Sequence, residues 1–123
     1  MISWCNKLIN DKPPLGSISN NNVYLVYSNN HLSVSLDQQK NIYLFFYASW
    51  CPTCEALDNN IRENLTNIPE STIIYQVDYD TNAKLKEQYN ITEPNTVVLL
   101  DNNKNARKKS TSLQTYKDII NFK

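Results

Sequence analysis

Residues 42–54 read Ile-Tyr-Leu-Phe-Phe-Tyr-Ala-Ser-Trp-Cys-Pro-Thr-Cys. The first seven, Ile42 to Ala48, form an unbroken apolar run between polar residues. That is the pattern of a central strand buried on both faces, and it is too short to cross a bilayer. Immediately afterwards Cys54, Leu57, Ile61, Leu65 and Ile68 recur at three- and four-residue intervals. This spacing predicts an amphipathic helix over residues 51–67, stopping near Pro69. A buried strand therefore runs straight into a helix, with two cysteines at the junction.

Working outward, Thr72 to Val77 reads as a second buried strand, and Thr96 to Leu100 as a third. Between them Thr81 is placed to cap a helix carrying Leu85 and Tyr89 on one face. Residues 101–105 form a polar turn, and Ala106 to Ser110 completes a hairpin. Ser112 is placed to cap a last helix with Leu113, Tyr116, Ile119 and Ile120 on its apolar stripe. Upstream, Val23 to Tyr27 is a strand by its β-branched and aromatic content. His31 to Lys40 fits a strand or a short irregular helix. Residues 1–22 hold Pro13, Pro14 and the sole glycine, Gly16, and read as an extended lead-in without the apolar core of a signal peptide. The expected organisation is that lead-in followed by one α/β domain over residues 23–123, a central mixed β-sheet flanked by helices.

Composition narrows the function. At 123 residues there is room for one domain, and 41% apolar content supplies one ordinary core. Twelve basic residues balance twelve acidic ones, which disfavours a charge-driven nucleic-acid binder. A single glycine excludes glycine-rich phosphate loops. The 19 asparagines take over turn and left-handed positions that glycine usually fills.

Three cysteines, Cys5, Cys51 and Cys54, are an odd number for a structural disulfide framework. Two of them make a C-x-x-C at the start of a helix. There Cys51 faces unpaired backbone N–H groups and the positive end of the helix dipole. Both favour thiolate, so Cys51 is the expected nucleophile. Cys54, one turn on and better buried, is the expected resolving thiol. Pro52 suits the first helical turn, which needs no N–H there, and Trp50 stands to shield the nucleophile. A closed zinc site needs four ligands. Cys5 and His31 are the remaining candidates, and their spacing to the pair fits no standard zinc motif, so no metal site and no cofactor are expected.

With Trp50-Cys51-Pro52-Thr53-Cys54 coming off Phe45-Phe46-Tyr47-Ala48-Ser49, the chain resembles the thioredoxin superfamily over roughly residues 23–122. It is most similar to bacterial thioredoxin-like proteins with a WCPxC site, an Ala56-Leu57-Asp58 tripeptide on the helix and a Val77-Asp78-Tyr79-Asp80 strand end. The resemblance implies a thioredoxin-like fold. It implies a monomeric thiol–disulfide oxidoreductase acting on protein disulfides or dithiols through a mixed disulfide, with a separate, unidentified redox partner to recycle it. The Pro-Thr between the cysteines is neither the Gly-Pro of typical reductases nor the Pro-His of strong oxidases, and reduction is the expected direction. Such look-alikes usually sit outside the cytoplasmic membrane, so an extracytoplasmic mature or trimmed form is the expected setting.

Three positions depart from the family's pattern. Phe45 stands where the family often has a buried acid, and Gln76 where a lysine often accompanies it. The family's cis-proline before a threonine falls at Asn95, ahead of Thr96, with Pro94 one residue early. The expectation is that Pro94 is trans and that Asn95 offers its amide, N–H included, to substrate. Two other readings compete: a redox-silent thioredoxin-fold binding module, and a metal carrier using Cys51 and Cys54.

Overall fold

The computed structural model describes residues 23–29, 32 and 40–123. Five strands form one sheet: β1 (Tyr24–Val26), β2 (Asn41–Tyr47), β3 (Thr72–Asp78), β4 (Thr96–Leu100) and β5 (Ala106–Ser110). Their spatial order is β1-β3-β2-β4-β5. The pairs β1–β3 and β2–β3 are parallel, while β2–β4 and β4–β5 are antiparallel. The helices are α1 (Pro52–Arg62), α2 (Ala83–Gln88) and α3 (Tyr116–Ile120), and a 3-10 turn covers Leu65–Asn67.

The continuous apolar run becomes β2, the middle strand, because only a strand covered on both faces tolerates it. Successive side chains alternate across the sheet. Tyr43 and Phe45 join α1 and α3 residues Cys54, Leu57, Ile61 and Ile119 in one buried cluster. Ile42, Leu44 and Phe46 join Tyr75, Val77, Tyr89 and Leu32 in the other. Leu32 lies on a helical turn, its N–H donating to the Ser28 carbonyl at 2.9 Å. Cys5, His31 and the expected lead-in lie outside the described residues.

Local ends differ from the sequence reading in three places. The first helix stops at Arg62 and the chain continues as the 3-10 turn, so Leu65 and Ile68 pack against the same core from outside α1. Thr81 does not cap α2: its hydroxyl donates to the Asp78 carboxylate at 2.7 Å, and Asn82 is the cap residue. Ser112 does not cap α3. Thr115 does, in a reciprocal box with Asp118, because both arms of that pair reach the backbone there.

Candidate active site

The strand-to-helix junction builds the site. The Cys51 N–H donates to the Ala48 carbonyl at 3.1 Å, which closes the turn after β2. Cys51 keeps an extended backbone and serves as the N-cap of α1, with Pro52 as the first helical residue. Its sulfur takes the role of a capping acceptor. The Cys54 N–H donates to Cys51 Sγ at 3.2 Å, and Thr53 Oγ1 lies 3.2 Å from the same sulfur. Both thiols are free, the dithiol state of the pair. Cys51 is 7% exposed and Cys54 fully buried behind it.

The two thiols are driven apart in acidity. Burial works against a Cys51 thiolate, but the Cys54 thiol, the Thr53 hydroxyl and the backbone N–H groups of both residues outweigh it and lower its pKa. Cys54 is pushed up to about 12, first by burial and then by hydrogen bonding to Cys51. One group is therefore poised to attack while the other holds its proton.

Trp50 is 60% exposed. Its indole Nε1 donates to both Asp80 carboxylate oxygens at 3.0 and 3.1 Å, and its ring meets Tyr79 edge-on at 6.2 Å. Phe45 is fully buried in the cluster that holds both cysteines, with Tyr47 edge-on at 6.0 Å. The Tyr47 hydroxyl donates to Glu55 Oε2 at 2.6 Å.

The residues around 94 answer one expectation and correct another. Among the described residues every peptide bond is trans, Glu93–Pro94 included. Thr96 Oγ1 donates to the Glu93 carbonyl at 2.7 Å and holds the loop closed. The Asn95 N–H, however, is not offered to substrate. It donates to the Phe46 carbonyl at 2.8 Å, because β4 begins at Thr96 and this bond extends its pairing with β2 by one residue. Asn95 sits at φ 64° and is 7% exposed. Its carboxamide oxygen is buried without a hydrogen-bond partner, and the residue lines a groove with Thr53, Ala56, Thr111 and Ser112. Asn95→Pro should destabilise the fold by about 3 kcal/mol or more, since proline holds φ near −65° and has no N–H for Phe46. Asn95→Gly, which adopts positive φ freely, should stay within about 1 kcal/mol of the parent. Urea unfolding of the two variants checks this pair.

Sequence reasoning passed over Asp58. It is 1% exposed, one turn beyond Cys54. Its carboxylate accepts from Tyr24 Oη at 2.6 Å and Gln76 Nε2 at 3.0 Å, and pairs with Arg62 Nε at 3.0 Å. The signal was present: an acid interrupts the apolar face of the helix between Leu57 and Ile61, and an inward acid needs partners. Gln76, noted only as a missing lysine, is one of them. Among the described residues no cluster of three or more histidines, cysteines and acids is placed to hold a metal ion. No helix among them is long and apolar enough to cross a membrane.

A mixed five-stranded sheet with a dithiol at the N-terminus of its first long helix defines a thioredoxin-like protein. The thioredoxin family model matches residues 23–122, and the chain belongs to that family. It is 27% identical over 74 residues to Thioredoxin-1 of Drosophila yakuba, a match spanning 60% of this chain and 69% of that one. Among solved structures it resembles Trxlp of Edwardsiella tarda, with TM-score 0.66 and 20% identity over 81% of this chain and 96% of the other. A poplar thioredoxin h gives TM-score 0.64 and 20% identity over 82% and 96%.

Proposed function

We propose that this protein is a thiol–disulfide oxidoreductase acting on protein disulfides, with Cys51 as nucleophile, Cys54 as resolving thiol and reduction as its direction. The observation that carries the reading is the Cys51 sulfur at the helix cap, holding a backbone N–H and a hydroxyl at 3.2 Å with a fully buried thiol one turn behind. In the first step the Cys51 thiolate attacks a substrate disulfide. One substrate sulfur joins Cys51 and the other leaves as a thiolate. In the second, Cys54 gives up its proton and attacks Cys51. The Cys51–Cys54 bond forms, the substrate sulfur leaves, and it takes up a proton. The neutral groove beside Thr53 and Asn95 suits an uncharged stretch of extended polypeptide.

The split acidity of the two thiols has a measurable sign. Below the lowered Cys51 pKa, reduction takes up two protons, so the potential falls by about 59 mV per pH unit. Between that pKa and the Cys54 value near 12 it takes up one, and the slope halves to about 30 mV. Equilibration with dithiol buffers across pH should show the break below the ordinary cysteine pKa. At pH 7 a reductase's potential should lie well below the about −120 mV of a strong oxidant. Failure to reduce a protein disulfide when supplied with excess small-molecule dithiol would overturn the reading.

A further inference from the structure

Resolution needs a Cys54 thiolate, and that thiol is buried with Phe45, not an acid, on the strand beside it. The groups arranged around its sulfur are mostly backbone. Cys54 Sγ lies 4.0 Å from the Phe46 carbonyl oxygen, a second acceptor for its one proton besides Cys51 Sγ. The same carbonyl accepts the Asn95 N–H at 2.8 Å, so sulfur and amide are neighbours of one oxygen. Once the thiol loses its proton, the sulfur becomes an anion facing a carbonyl oxygen. The contact turns repulsive unless a donor re-aims.

We propose that the backbone N–H of Asn95 is that donor, swinging from the Phe46 carbonyl toward Cys54 Sγ as the resolving thiolate forms. The inference rests on the oxidoreductase reading and adds a group to its second step. It also gives a use to a residue at this position that, unlike proline, has an N–H. The balance of the step is unchanged: the Cys54 proton departs, the Cys54–Cys51 bond forms, the Cys51–substrate bond breaks, and the substrate thiolate takes up a proton. The amide supplies a hydrogen bond and no proton. The Asn95 and Ala48 N–H groups both favour the thiolate at this sulfur.

The titratable surroundings of Cys54 work the other way. After burial, Cys51 raises its pKa, and Tyr47 on β2, whose hydroxyl donates to Glu55, is the other titratable group coupled to it. From β3 comes the neutral Gln76, which donates to Asp58, and from β4 the neutral Asn95 and Thr96. Arg62 on α1 is paired to Asp58. The backbone N–H groups of Ala48 and Asn95 are what lower the Cys54 pKa against burial and Cys51.

The test follows Cys54 in a Cys51→Ala variant, where loss of the neighbouring sulfur brings its titration below that of the parent. Thiolate absorbance near 240 nm gives the midpoint, and nitrogen–proton correlation spectra give the Asn95 amide. The amide proton is expected to move with the same midpoint as the absorbance. An ester bond in place of the Pro94–Asn95 amide, introduced as the α-hydroxy acid, should raise the midpoint by about one pH unit. Asn95→Gly, which keeps the N–H, should leave the midpoint where it was. An Asn95 amide that does not respond while Cys54 titrates overturns the proposal, as does an ester variant with an unshifted midpoint. These readings need no substrate. A coupled titration in the Cys51→Ala variant, with no turnover by the parent protein, would overturn the oxidoreductase reading and leave the amide's response to Cys54 standing.

Discussion

Cys51→Ser is expected to lower turnover on a protein disulfide by at least about a thousand-fold, with the folded structure intact. The sulfur is the attacking atom, and a serine hydroxyl at the same cap does not ionise in the working range. The cap itself should survive, since the serine oxygen can accept the Cys54 N–H that Cys51 Sγ now holds at 3.2 Å. Cys54→Ser should behave differently. Its Cys51 keeps the helix position and the Thr53 hydroxyl, so it still attacks, but the mixed disulfide has no resolving thiol. A covalent adduct with the substrate should accumulate, visible by mass as one substrate per chain and released by dithiothreitol. Alkylation at mildly acidic pH should mark Cys51 before Cys54, in keeping with a lowered pKa for one and a value near 12 for the other. Trapping by Cys51→Ser in place of Cys54→Ser would reverse the roles.

Asp58→Ala is expected to cost about 3–5 kcal/mol of stability, the range for removing one partner of a buried charged network. The carboxylate joins three elements: Tyr24 on β1, Gln76 on β3 and Arg62 on α1 itself. Without it the buried Tyr24 hydroxyl loses its acceptor and the Arg62 guanidinium loses a counter-charge. Tyr24→Phe removes a single donor and should cost less, about 1–2 kcal/mol. The comparison is made by urea unfolding of the oxidised proteins, so that thiol ionisation does not enter. If Asp58→Ala unfolds at the parent's urea midpoint, the network contributes nothing net.

The core of the fold and the placement of the cysteine pair at a helix start were legible in the sequence for one reason: both are local. Seven apolar residues in a row admit a strand covered on both faces, and Cys51, Pro52, Thr53 and Cys54 span a single turn. A capping sulfur, a first-turn proline and a thiol one turn behind follow from helix geometry without knowledge of any distant residue. The hairpin of β4 and β5 was readable on the same ground, as two runs joined by a polar turn.

Tertiary structure decided what depends on residues far apart in the chain. Tyr24 and Gln76 are 34 and 18 residues from Asp58, and they meet it because β1 and β3 lie side by side under α1. A helical pattern registers an acid among leucines but cannot say which donors a neighbouring strand will present. The Asn95 N–H was free for substrate on local reasoning. The pairing of β4 with β2 commits it to Phe46, and places it against the carbonyl that the Cys54 thiol faces. The helix caps show the same rule at short range. Ser112 and Thr115 are both capping residues by type, and Thr115 was selected because Asp118 closes the reciprocal pair, while Leu113 packs against the core ahead of the helix. Residue type sets what a group can donate or accept. Which partner it finds is settled by the order in which the strands lie in the sheet, because that order brings distant segments within hydrogen-bond distance.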